Sequence, residues 1–164
     1  MKPKYPLFIV SKGRWESNYT HKALTEMQVK HFIIVESQEY DLYKETIDDR
    51  YCTIVLLNDK YKVDYDTCDN LGDNKSKGAG AARNFAWQTS IEQGHEYHWV
   101  MDDNIRYFAR YNKNTKSPVA DGTIFRCMED FVERYSNVTM AGPNYEFFVP
   151  RKKGNKKRPP YFLN

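Results

Sequence analysis

Two adjacent carboxylates, Asp102 and Asp103, follow the apolar run Trp99-Val100-Met101 and precede Asn104. Neighbouring carboxylates repel each other unless a cation or a hydrogen-bond donor lies between them. An oxygen-only donor set suits a hard divalent ion such as Mg²⁺ or Mn²⁺, and such an ion typically holds a diphosphate on its far side. The same three residues also suit a turn or a helix N-cap, so both readings stand at this point.

Three other segments carry candidate chemistry. Gly78-Ala79-Gly80-Ala81-Ala82-Arg83-Asn84 is small enough for a ligand or a backbone to approach closely. A helix starting there would turn its first N–H groups toward an anion, and Arg83 would add a planar fork for a phosphate or a base carbonyl. Close packing of a small-residue helix on a sheet accounts for the same run, and its spacing matches neither a Walker loop nor a dinucleotide fingerprint. Ser11-Lys12-Gly13-Arg14 places two cations in a turn, suited to a nucleotide diphosphate or to solvent. Glu36 stands where strand-end acids accept hydrogen bonds from a ribose or a base in other nucleotide folds. The four histidines, His21, His31, His95 and His98, lack a metal spacing such as H-x-x-x-H and read as structural or surface groups. No Ser or Cys lies in a nucleophile-elbow sequence.

These groups need a scaffold, and the apolar pattern supplies one. Residues 7–10, 32–35 and 53–57 are short, β-branched and nearly continuous, as buried strands are. Residues 99–101 and 138–141 are two more expected strands. Ala23, Leu24 and Met27 mark a helix capped by Ser17 or Asn18. Ala82, Phe85, Ala86 and Ile91 mark a second, with Gly94 placed to end it. Ile124, Cys127, Met128, Phe131, Val132 and Tyr135 trace the strongest helical stripe. The polar stretch 58–77 reads as a long connection, and 105–122 has no clean period. Strands alternating with helices imply an α/β fold, a mostly parallel sheet covered on both faces. Such sheets bind ligands at the carboxyl ends of their strands, where Ser11-Lys12-Gly13-Arg14, Glu36 and Asp102-Asp103-Asn104 all fall.

A length of 164 residues suits one domain, and its 13 Tyr and 9 Phe argue against disorder. Three cysteines with no close pair exclude a disulfide framework and a Cys-rich zinc module. Cys52, Cys68 and Cys127 read as reduced thiols. No run approaches the roughly 18 apolar residues of a membrane span, and no secretory signal follows Lys2. The expectation is a soluble, cytoplasmic protein without a membrane partner. Charge is uneven: the net +3 combines six cations in residues 151–158 (RKKGNKKR) with a remainder of −3. Such a run can bind a phosphate backbone or form a solvated loop.

Taken in order, the segments PLFIVSKGRWES, HFIIVESQEYDLY, GAGAARNFAWQ, HWVMDDNIRYF and SPVADGTIFRCMEDFVERY resemble GT-A fold glycosyltransferases. The resemblance is closer still to the TET-associated glycosyltransferases of bacteriophages. It implies a Rossmann-like GT-A domain over residues 1–164, with 1–110 holding the nucleotide sugar and 111–164 opening the acceptor side with a basic hairpin. It implies transfer of a sugar, expected to be UDP-linked, to hydroxymethylated pyrimidines in phage DNA, with Mn²⁺ or Mg²⁺ as cofactor. By position in the motifs, Glu36 and Arg83 correspond to residues on the uracil, Asp102 to the acid near the ribose, and Asp103 to the acid on the metal. Ser11, Lys12 and Arg14 join the donor-binding set. Asn104 stands where a D-x-D motif has its last Asp; its carbonyl can ligate a hard cation but brings no charge. Arg151, Lys152, Lys153, Lys156, Lys157 and Arg158 would grip the DNA acceptor. Family members continue further and carry an acidic motif downstream that supplies the general base, so this chain is expected to be short of the acceptor-side half, with no base assigned in it.

Two other functions share these features. A non-catalytic nucleic-acid binder would use the basic run with Tyr145, Phe147, Phe148, Tyr161 and Phe162. A nucleotidyltransferase would share the sheet and the acidic pair, but would usually carry a glycine-rich phosphate loop after its first strand, of which Ser11-Lys12-Gly13-Arg14 is a poor version.

Overall fold

The computed structural model describes residues 1–66, 78–112 and 115–145. They fall into two compact units, Tyr5–Arg106 and Met1–Lys4 with the described residues from Tyr107 onward.

In the larger unit the order is β1 (Leu7–Val10), α1 (Tyr19–Glu26), β2 (His31–Val35), α2 (Tyr40–Thr46), β3 (Cys52–Leu56), α3 (Lys60–Val63), α4 (Gly80–Glu92) and β4 (Trp99–Asp102). The four strands form one parallel sheet in the order β3-β2-β1-β4. All of β1 and four of the five residues of β2 are buried, as their uninterrupted apolar sequence requires. Strand residues alternate between faces. Phe8, Val10 and Ile34 pack with Ala86 of α4, and Ala82, Phe85 and Tyr61 close over them. On the opposite face His31 meets His21 of α1. Helices therefore cover both faces, and the fold is α/β and Rossmann-like, as the sequence predicts. Phe8 is wholly buried, so its truncation to Ala would cost about 3–5 kcal/mol.

Gly80 has a steric role. A Cβ there would collide with the ring of Tyr65, so a larger residue at this position would force that ring to move. At the other end Gly94, at φ +77°, takes the left-handed position after α4, and its N–H bonds back to Ile91 O at 2.9 Å.

Several elements differ from expectation. Helix α2, preceded by a 3₁₀ turn at Ser37–Glu39, was not anticipated, because Tyr43 is its single buried residue and one residue makes no stripe. Helix α3 occupies part of the expected long connection. Residues 138–141 form no strand: Met140 is 89% exposed and no described strand runs beside it.

In the smaller unit, β5 (Ala109–Asn112) and β6 (Thr115–Pro118) form an antiparallel pair, and α5 (Thr123–Val132) follows. Neither strand has a buried residue, and at four residues each they are too short for a period to stand out in sequence. Helix α5 forms where its stripe predicts, but it buries another face. Phe125 packs edge-on against Phe108 with centroids 5.0 Å apart, and Glu129 accepts the Lys4 backbone N–H at 2.7 Å. Phe131 and Tyr135 of the stripe are left exposed among the described residues.

Candidate functional site

The strand order reverses at β1. From β1 the chain builds outward through β2 to β3, then crosses back to lay β4 on the other side of β1. In open α/β sheets the crevice at such a switch point is the ligand site. The register pairs Val10 with Asp102, so the next residues, Ser11 and Asp103, leave the sheet side by side. The Ser11 hydroxyl donates to Asp103 Oδ2 at 2.6 Å.

A directed chain of hydrogen bonds runs into this carboxylate. Because the Ser11 proton goes to Asp103, Ser11 Oγ accepts from the Tyr43 hydroxyl, 2.6 Å away. Tyr43 in turn accepts the Arg14 backbone N–H at 3.2 Å. Arg14 Nε lies 3.5 Å from the other oxygen, Asp103 Oδ1. Asp103 and Ser11 are buried and Tyr43 fully so, which strengthens these bonds relative to water. The preceding residue of the turn, Gly13 at φ +67°, gives its N–H to both oxygens of Glu39 at 3.0 Å.

The acidic turn is clamped from α1. Thr20 donates its hydroxyl to Asp102 O at 2.6 Å and accepts the Ile105 N–H at 2.9 Å. Its own N–H bonds to Asp103 O at 3.2 Å, so that carbonyl satisfies an N–H of the first turn of α1. Asn18 holds the N-cap position at φ 24° but makes no side-chain cap bond, and its buried amide has no hydrogen-bond partner among the described residues.

Two further groups complete the rim. Arg83 of α4 donates from Nη2 to Asp102 Oδ1 at 2.5 Å. Glu36 receives Lys12 at 2.7 Å, Lys62 at 2.9 Å and Gln38 at 2.5 Å. Burial pushes the Glu36 carboxyl upward, but the hydrogen bonds from Lys12, Lys62 and Gln38 outweigh it and hold it at about 2. Asn104 is exposed in the turn after β4.

The structure therefore brings Ser11, Arg14, Asp102, Asp103 and Arg83 to the switch point and pairs Lys12 with Glu36 at the end of β2. Arg151, Lys152, Lys153, Lys156, Lys157 and Arg158 lie outside the described residues. Sequence reasoning missed Tyr43, Thr20, Lys62 and Glu39, which support the site from helices and turns without a motif of their own.

His21, His31 and Cys52 gather in the core, with one candidate donor atom from each within 4.8 Å of the others. Metal binding would need lone pairs, and the two rings have committed theirs. His31 Nδ1–H donates to Val29 O at 2.8 Å, so its Nε2 accepts from His21 Nδ1–H at 2.9 Å. His21 Nε2 then accepts the Asp48 N–H at 3.2 Å. This assignment satisfies every ring nitrogen. Burial pushes the metal-free Cys52 thiol up to about 12. As assigned, the two rings form a hydrogen-bonded tie between α1, β2 and the turn before β3.

A family model described as TET-Associated Glycosyltransferase matches residues 5–163. No curated protein and no solved structure matches the chain.

Proposed function

The chain belongs to the TET-associated glycosyltransferase family and is a glycosyltransferase; we propose that it transfers a sugar from a nucleoside-diphosphate donor, UDP-linked, to hydroxymethylated pyrimidines in DNA. The observation that carries this reading is the paired carboxylates at the switch point, each matched by an arginine: Asp102 by Arg83 and Asp103 by Arg14. A site with two acids and two mobile-length cations, both arginines half exposed, has the charges to receive a metal diphosphate.

The hard oxygen donors of Asp102 and Asp103, with the Asn104 carbonyl, fit Mn²⁺ or Mg²⁺. When bound, the ion would neutralise charge developing on the leaving diphosphate. Arg83 and Arg14 would turn from carboxylates to phosphate oxygens, and Arg83 also lies within the set assigned to the base. Ser11 and Lys12 would line the donor. Glu36, ionised across the neutral range, would accept an N–H from the uracil edge. Residues 1–110 would serve the donor and 111–164 the acceptor side. The basic residues from Arg151 to Arg158 would hold the DNA backbone. No described helix is long and apolar enough to cross a membrane.

The test is transfer itself. Duplexes carrying 5-hydroxymethylcytosine, 5-hydroxymethyluracil or neither are incubated with Mn²⁺ and a panel of UDP-, GDP- and ADP-sugars, then digested to nucleosides for mass spectrometry. A sugar adduct on the modified base, dependent on a UDP-sugar, is the expected result. Adducts from another nucleotide sugar would overturn the donor assignment, and an unmodified duplex with every donor would overturn the acceptor.

A further inference from the structure

We infer that Tyr43 is a positioning residue for the acidic pair: by fixing the Ser11 hydroxyl, it sets which oxygen Asp103 presents to a cation. This rests on the donor-site reading above. Tyr43 is the one buried residue of α2, and its ring fills its place against Trp15, with centroids 6.4 Å apart and planes at 76°. Phenylalanine would fill the same volume, so the hydroxyl has another use.

That use is directional. The Arg14 N–H is a donor only, so the Tyr43 oxygen accepts from it and its single proton points to Ser11. Ser11 then has one choice, Asp103 Oδ2. Burial raises the Tyr43 phenol above its ordinary range, so the proton stays in place at neutral pH. Asp103 is left with Oδ2 occupied by a short bond. Among the described residues its Oδ1 meets the looser 3.5 Å contact with Arg14, which a metal ion can replace. Without the Tyr43 hydroxyl, Ser11 is free to rotate, the Arg14 N–H loses its partner, and the carboxylate is no longer held by its Oδ2.

The experiment follows free Mn²⁺ by electron paramagnetic resonance during titration of protein saturated with UDP, for wild type, Tyr43→Phe, Ser11→Ala, the double variant and Asp103→Asn. Thermal melts verify the fold of each. Tyr43→Phe and Ser11→Ala are each expected to weaken Mn²⁺ uptake about tenfold. The double variant should lose no more than the worse single one, because both break one chain of bonds. A purely structural Tyr43 would lower the melting temperature and leave Mn²⁺ uptake unchanged; that result, or two losses that multiply, overturns the inference. Where wild type binds Mn²⁺ and only Asp103→Asn abolishes it, the donor-site reading stands and this inference falls. Where wild type takes up no Mn²⁺, both fall. If Tyr43→Phe does not fold, Ser11→Ala decides: a tenfold loss supports the inference and retained affinity overturns it.

Discussion

Arg83 Nη2 meets Asp102 Oδ1 at 2.5 Å, so the small-residue helix α4 and the end of β4 are joined by a charge pair at the switch point of the sheet. Both side chains are about half exposed, and exposed ion pairs contribute only about 0–1 kcal/mol. The pair is therefore cheap to open when a ligand offers better partners.

Arg83→Ala should melt within about 1 kcal/mol of wild type while weakening UDP binding by about 1.5–3 kcal/mol, the scale of a charge-assisted hydrogen bond. Lysine should restore little, since it lacks the planar fork. Calorimetry on the three proteins tests this, and undiminished UDP affinity in the alanine variant would leave Arg83 a solvated helix residue.

Thr20→Val keeps the shape of the side chain but removes the hydroxyl that holds Asp102 O and the Ile105 N–H. The expected loss of stability is about 1–3 kcal/mol, the cost of leaving buried polar groups unpaired. Chemical denaturation measures it, and a midpoint equal to that of wild type would remove Thr20 as the clamp of the acidic turn.

Acid should weaken the fold in two stages. Burial lowers His21 from 6.5 to about 4, with His31 and Lys22 adding to the effect and Asp48 opposing it. Burial lowers His31 as well, against its bond to the Val29 carbonyl. Both rings are neutral in the folded chain and take up protons more readily when it unfolds. The His21 contribution is complete above pH 6.5 and declines as pH falls from 6.5 toward about 4, and His31 acts in the same direction. Glu36, depressed from 4.5 to about 2, is a separate and lower stage, complete above 4.5 and lost on the way to 2. Denaturation midpoints at half-unit steps from pH 7.5 to 4.5 isolate the histidines; a flat profile there would contradict the buried tie.

The basic run makes its own prediction from charge. If Arg151, Lys152, Lys153, Lys156, Lys157 and Arg158 contact six phosphates, duplex affinity should fall with salt at a log–log slope of about −5. Replacing all six by glutamine should remove most of that slope and spare UDP binding. Equal slopes for the two proteins would mean that the run does not grip the acceptor.

How far the sequence discloses this site follows from where each residue sits. β1 and β2 are readable because burial on both faces demands unbroken apolar runs. Ser11, Glu36, Asp102 and Asp103 are readable as candidates because they stand at or just past the carboxyl ends of such strands. Tyr43 is not, as it is one of 13 tyrosines and its partners come from residues 11 and 14. Thr20 is hidden for the same reason, since its bonds reach residues 102 and 105. In α5 the stripe marks the helix but not its buried side, which Glu129 decides through a bond to Lys4, 125 residues away. Residues 138–141 show the converse: an apolar run alone makes no strand, and no described strand lies beside this one.

The most direct measurement is a calorimetric titration of UDP into the protein with Mn²⁺ and again with chelator, for wild type and for Asp103→Asn, a substitution that keeps an acceptor for Ser11. One site, at least tenfold tighter with Mn²⁺ and losing that gain in the folded Asn variant, is the expected result. UDP affinity indifferent both to Mn²⁺ and to Asp103 would contradict a metal-dependent donor site at the junction of β1 and β4.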